Sequence, residues 1–270
     1  MVIIDGNKIA DEIIGELKKL PVPEKFMAAV LVGSDPASLS FIRQKEETAK
    51  KLGVDFRFYN LSAELNNNTL REEVRKIAEH KTCGGAIVQL PLPKQINRHY
   101  VLNAVPREKD VDVLGERSIG AFYAERNPIL PPSVGTVKTI LENRGLKIED
   151  CRVAVVGLGL LVGRPIGLWL MRKAKEIILF DAVSDLSGLK NADLVISGTG
   201  KAGIIKQDML KDDAGVIDFS YAKEDKVMTG DLDTSSDLSK LAFYTPTPGG
   251  TGPILVAKLF ENFYKLNGLS

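Results

Sequence analysis

Four short apolar runs in the second half of the chain, "CRVAVVG", "KEIILFD", "ADLVISG" and "AGVIDFS", constrain the fold more than any other feature. Each is strand-sized, apolar on both faces through its centre, and closed by Gly, Asp or Ser. Runs of this kind need cover on both faces, which a parallel sheet between helices provides. The first half follows the same rule. Ile9, Ile13, Ile14 and Leu17 recur at helical spacing, Pro21 and Pro23 break the pattern, and "FMAAVLVG" reads as a strand. A helix over Ser38–Leu52, stopped by Gly53, the strand "VDFRFYNL", a helix over Thr69–Glu79 and the strand "GGAIVQL", closed by Pro91 and Pro93, come next. With 270 residues the chain has room for two cores. The fold class is therefore α/β, with two α/β lobes, the second a Rossmann-like doubly wound parallel sheet, and a cleft between them.

The pattern loosens between Asp110 and Pro132, where Pro131 and Pro132 make a stiff joint before a helix over Val134–Glu142. The boundary falls near there. The expected division is 1–125 with 253–270 for the first lobe and 126–252 for the second, the closing helix Gly252–Leu266 packing back on the first.

Lys and Arg number 36 against 35 Asp and Glu, so there is no net field to attract nucleic acid or an anionic membrane surface. The first residues, "MVIIDGNKIADEII", lack a charged leader before an apolar core, and the expectation is a soluble cytoplasmic protein. Cys83 and Cys151 stand far apart without metal or redox spacing and read as half-buried thiols. His80 and His99, the only histidines, form no ligand pair. The chemistry is expected to use neither a metal nor a histidine base.

In "VVGLGLLVGRPIG" a strand runs into glycines spaced G-x-G-x-x-x-G. Backbone amides at such a strand-to-helix turn can bind a phosphate, the helix N-terminus adding partial positive charge. Gly157 and Gly159 are expected to make the turn and Gly163 the close helix approach. Pro165, with fixed φ and no donor, suits a first helical turn. After the next strand, Asp181 stands 24 positions beyond Gly157, where dinucleotide folds place an acid on the ribose hydroxyls. A carboxylate there repels a 2′-phosphate.

The stretches "VGSDPASLSFIRQKEETAKKLG", "GGAIVQLPLP", "PREKDVDVLG", "LLVGRP" and "TPTPGGTGP", in that order, resemble the bifunctional methylenetetrahydrofolate dehydrogenase/methenyltetrahydrofolate cyclohydrolase family. The similarity runs from "DGNKIADEI" to "GPILVAKLFEN". It implies an enzyme that oxidises 5,10-methylenetetrahydrofolate with NAD(P) and hydrolyses the methenyl product to 10-formyltetrahydrofolate. It also implies the roles. Lys45 is the acid/base, oriented by Gln89, and Asp112 holds the pterin. Ser38, Phe41, Pro248, Gly249 and Gly250 border the folate. Gly157, Leu158, Gly159, Val162, Gly163, Arg164, Asp181 and Thr199 hold the dinucleotide. A homodimer is implied as well.

The chain departs from that family at several places. Phe41 stands where tyrosine is usual, which keeps an aromatic face and loses a hydroxyl. Leu158 and Gly159 replace a common Arg-Ser, Val113 replaces the glycine of "KDVDG", and "PPSV" stands for "PCTP". NADP is the commoner cofactor of the family, whereas Asp181 and the lost arginine argue for NAD. Lys201 or Arg152 is left as a possible partner for a 2′-phosphate, and the choice stays open at this point. Two other readings of the chain are a two-domain NAD(P)-dependent dehydrogenase acting on small acids and a folate-binding relative without catalysis.

Overall fold

The structure, a computed structural model, describes residues 1–224 and 227–270, and their side chains except at 223, 224 and 227. In chain order the main elements are β1 (Val2–Ile3), α1 (Gly6–Leu17), β2 (Phe26–Val32), α2 (Pro36–Leu52), β3 (Phe56–Leu61), α3 (Asn67–Glu79) and β4 (Cys83–Val88). Two short helices, α4 (Arg98–Leu102) and α5 (Glu116–Tyr123), lead to α6 (Pro132–Arg144), β5 (Arg152–Val156), α7 (Gly163–Leu170), β6 (Glu176–Phe180), β7 (Leu194–Ser197) and β8 (Gly215–Asp218). The hairpin β9 (Ala222–Glu224) and β10 (Val227–Thr229), then β11 (Phe243–Tyr244) and α8 (Thr251–Leu266), complete the chain. The chain forms two compact units, residues 11–132 with 256–270 and residues 1–10 with 133–255.

The first unit holds a three-stranded parallel sheet of order β3-β2-β4. Every residue of β2 and of β4 is buried, as their unbroken apolar sequences require. Helix α2 starts where Asp35 accepts hydrogen bonds from the Ser38 amide at 2.8 Å and the Ser38 hydroxyl at 2.7 Å, with Pro36 in the first turn. It stops at Gly53, whose left-handed backbone (φ 71°) caps the last carbonyls. The closing helix does pack on this sheet. Asn262 on α8 donates to the carbonyls of Val111 (2.9 Å) and Leu130 (2.8 Å), and a β-carbon on Gly85 would lie 2.7 Å from both Phe263 and Val111.

The second unit is a six-stranded sheet of order β1-β11-β8-β7-β5-β6, with parallel pairing throughout. The chain moves from β5 outward to β6, then returns to the other side of β5 for β7. That reversal makes a switch point at β5/β7. Two features differ from the sequence reading. Residues 1–10, expected in the first lobe, belong to this unit because β1 pairs with β11, Val2 opposite Phe243. Cys83 and Cys151 are both buried, free thiols.

Phe263 is fully buried against the first sheet. Phe263→Ala is expected to cost about 3–5 kcal/mol of stability, read as a lower urea midpoint with an unchanged slope.

Candidate active site

In the order β3-β2-β4 the chain goes out to one side of β2 and returns to the other, so the carboxyl ends of β2 and β4 border a second switch point. Gln89 is the first residue past β4, tied by its amide to the Val30 carbonyl at 2.8 Å. Its side chain has one orientation. Nε2 donates to the Leu90 carbonyl at 2.8 Å, which turns Oε1 toward Lys45, and the Lys45 amine donates to it at 2.6 Å.

Lys45 reaches that point from α2, the helix that follows β2. It lies on the helix's inward stripe with Ile42, Ala49 and Leu52 and is only 7% exposed. Among the described residues no carboxylate stands within ion-pair distance of its nitrogen. Removal from water therefore holds the amine below its ordinary value, and the more distant charge of Asp112 only partly opposes this. Phe41, one turn earlier, is half-buried. Ser38 is buried and spends its hydroxyl on the helix cap, so the contact it is seen to make is with Asp35.

Asp112 sits in the turn after the short 3-10 helix Arg107–Lys109, and its carboxyl is pushed up to about 6. Burial is the main cause, Lys45 pulling down and Asp110 pushing up. The turn is held by its neighbour. The buried Asp110 carboxylate accepts from the amides of Leu114 (2.9 Å) and Gly115 (2.8 Å). Val113 between them has φ 57°, the left-handed conformation that glycine adopts freely. A β-branched residue pays about 1–3 kcal/mol there, so the loop keeps the geometry suited to glycine although the glycine is gone.

The second unit carries the glycine turn. Gly157 has φ 87°, and a β-carbon on Gly163 would collide with the Gly157 carbonyl oxygen, so both positions require glycine. Gly159 does not. Its φ is not left-handed and its missing side chain would meet no protein atom, so it leaves space open and does not shape the turn. The amides of Leu158, Gly159, Leu160, Leu161 and Val162 donate no hydrogen bond among the described residues, immediately before α7. That is a set of donors facing the helix N-terminus, suited to a pyrophosphate. Arg164 fastens the turn from behind, its Nε donating to the Leu158 carbonyl at 3.0 Å.

Asp181 is exposed just past β6. One carboxylate oxygen accepts from the Ala182 amide at 2.9 Å, and the other has no protein partner among the described residues. Thr199 lies past β7, across β5 from Asp181. The two basic candidates for a 2′-phosphate are badly placed. Arg152 begins β5, at the opposite end of that strand from the turn, and pairs with Glu176 at 3.2 Å. Lys201 follows β7, on the far side of β5 from Asp181. Gly249 (φ 92°) accepts from the Gly6 amide at 2.8 Å, a β-carbon on Gly6 would strike Gly250, and one on Gly250 would strike the Pro246 carbonyl oxygen. Pro248 is exposed beside them.

Family models match both halves of the chain, the tetrahydrofolate dehydrogenase/cyclohydrolase catalytic domain over residues 4–112 and the NAD(P)-binding domain of the same family over residues 131–268. The chain belongs to this family. The bifunctional protein FolD of Halothermothrix orenii is 33% identical over 97% of this chain and 96% of its own length. The crystal structure of the bifunctional FolD enzyme of Campylobacter jejuni superposes with a TM-score of 0.93 at 27% identity, covering 99% of each chain. The FolD of Trypanosoma brucei, solved with NADP and an inhibitor, gives 0.91 at 27% identity over 99% of this chain and 97% of that one. The tetrahydrofolate family assignment decides against a dehydrogenase of small acids. The chain is a methylenetetrahydrofolate dehydrogenase and methenyltetrahydrofolate cyclohydrolase of one-carbon metabolism, with a nicotinamide dinucleotide as cofactor.

Sequence reasoning missed Asp218 and Asp231, which are buried beside the β7 loop. An acid closing the apolar run "GVID" was the available signal, since a buried carboxylate must find donors.

Asp112 supplies a test of the electrostatics. Its folded value lies above the ordinary 3.8, so ionisation opposes folding in full above about pH 6 and not at all below about pH 4. Asp112→Asn is expected to raise stability by about 1–3 kcal/mol at pH 8, the gain shrinking to nothing as pH falls from 6 to 4. Melting curves across that range check it.

Proposed function

We propose that Lys45 is the proton-handling group for both reactions, with Gln89 as its orienting partner and Asp112 as the pterin anchor. The observation that carries this reading is the 2.6 Å hydrogen bond from the buried Lys45 amine to Gln89. An amine kept out of water gives up its proton more readily than an exposed lysine does. In the hydrolytic step water forms a bond to the methenyl carbon and passes one proton to Lys45. As the bond from that carbon to N5 breaks, Lys45 returns a proton to N5, the carbonyl forms, and the hydroxyl proton leaves to solvent. Asp112 accepts hydrogen bonds from the pterin amino group and ring nitrogen. This step asks nothing of the dinucleotide unit.

The dinucleotide, when bound, supplies the hydride acceptor for oxidation of the methylene carbon. The turn Leu158–Val162 suits its pyrophosphate, and Asp181 its adenosine ribose. We favour NAD over NADP. Beyond β6 the chain reads Asp181-Ala-Val-Ser-Asp185, two acids and no base, while Arg152 lies at the opposite end of its strand and Lys201 across β5. Asp181 has an oxygen left to accept from both ribose hydroxyls, whereas a 2′-phosphate would meet like charge. Rates with NAD and NADP are expected to differ at least tenfold in kcat/KM in favour of NAD, and Asp181→Ser is expected to narrow that gap. Equal use of both cofactors by the unaltered enzyme would overturn the preference.

Phe41 bears on the balance of the two activities. Phe41→Tyr is expected to raise methenyl hydrolysis several-fold and to change methylene oxidation less, measured on one preparation. The homodimer expectation draws support from β6, an edge strand with exposed Leu179, flanked in sequence by exposed Met171 and Val183. Among the described residues no helix is long and apolar enough to cross a membrane, and we place the enzyme in the cytoplasm.

A further inference from the structure

Asp231 and Asp218 in the dinucleotide unit take part in no step above. Asp231 is completely buried and receives three hydrogen bonds from the loop that follows β7: from the Ser197 hydroxyl, the Thr199 amide (2.8 Å) and the Lys201 amide (3.0 Å). The amide between these two, that of Gly200, donates to the Ser220 hydroxyl at 2.9 Å. Asp218, at the end of β8, accepts from the amides of Ser220 (2.8 Å) and Leu232 (2.9 Å) and so fixes both partners of the loop. Residues 230–233 are also bonded along 203–205, through Gly203 to Gly230 (3.0 Å), Ile205 to Asp231 (2.9 Å) and Asp233 to Ile205 (2.8 Å).

The result is a loop whose three consecutive amides all point inward. Its exposed side is left with carbonyls and the Thr199 hydroxyl, whose oxygen accepts from the Lys201 amide at 3.1 Å while its hydrogen stays available. The turn after β5 is the reverse, with five amides unspent. The two strand ends at the β5/β7 switch point therefore differ in polarity, donors on one and acceptors on the other. A pyrophosphate needs donors, whereas a carboxamide NH2 and ribose hydroxyls need acceptors. The loop also walls the turn. A β-carbon on Gly157 would lie 2.9 Å from Thr199 Cγ2 and from the Gly198 carbonyl oxygen, and one on Gly198 would lie 2.8 Å from Val162.

We propose that Asp231 is a positioning residue for the nicotinamide end of the dinucleotide, acting through the 198–201 loop by engaging its amides from inside. The proposal rests on the reading that this sheet edge binds the dinucleotide. Asp231→Asn keeps size and shape but puts an NH2 against one of the amides that the two carboxylate oxygens now receive.

The test uses three readouts on one preparation of full-length protein: NADH binding by energy transfer from Trp169, the single tryptophan of the chain, steady-state oxidation with varied NAD, and methenyl hydrolysis without cofactor. Asp231→Asn is expected to weaken NADH binding and raise KM for NAD about tenfold. Its kcat at saturating NAD and its methenyl hydrolysis are expected to stay within about twofold of the unaltered enzyme. Ser220→Ala releases only the Gly200 amide and is expected to shift NADH binding and KM about threefold the same way, which decides the matter if Asp231→Asn yields no folded protein. Unchanged NADH binding in the folded variants would overturn the proposal, as would a parallel loss of oxidation and hydrolysis. Binding of neither NADH nor NADPH by the unaltered protein would remove the dinucleotide reading itself.

Discussion

A lysine amine held out of water against an amide oxygen is the interaction on which the proposed folate chemistry rests. Its cost falls on α2, which must turn a charged side chain onto the same stripe as Ile42, Ala49 and Leu52. The surroundings lower that cost without restoring full charge. Gln89 is neutral and already committed to the Leu90 carbonyl, so it presents an acceptor but no countercharge. Asp112 is close enough to be felt and too far to form an ion pair, and it is itself pushed toward protonation. A carboxylate at Gln89's position would fix the ammonium form and remove the amine as a base. The neutral amide is therefore as informative as the lysine.

Both units solve placement in the same way. Each sheet reverses its winding once, at β2/β4 and at β5/β7, and the residues with chemical roles follow the strands at those reversals. Much of this was legible in the sequence because unbroken apolar runs mark buried parallel strands. Lys45 and Gln89 were legible from their motifs, and the 2.6 Å contact joins them. Gly157 and Gly163 were legible because backbone approach admits nothing larger. The reading was less informative where a residue's neighbour is distant in sequence. The contact of Gly249 and Gly250 with Gly6 was not legible. Ser38 belongs to a helix cap. The two-residue strands β1 and β11 are too short to show a period.

The dinucleotide unit shows how backbone polarity is allocated. Its glycine turn leaves amides unbonded, and its β7 loop uses them up on a carboxylate that contributes nothing else to the surface. Burying an acid is costly unless several donors meet it, and Asp231 receives three. Asp218 behind it is raised to about 7 by burial, so near neutrality it does not oppose its neighbour with a full charge. In the proposed reading, the choice of one cofactor over another is made elsewhere, by the acids past β6.

The pairing of β1 with β11 bears on how the molecule is made. Val2 and its partner Phe243 lie far apart in the sequence. The three-stranded sheet waits as well, because Asn262 and Phe263 arrive on α8 after everything they hold has been synthesised. Neither core closes on a nascent chain, and native contacts of such long sequence separation slow folding. The exposed strand edges of the unfinished sheets must stay soluble until their distant partners are in place.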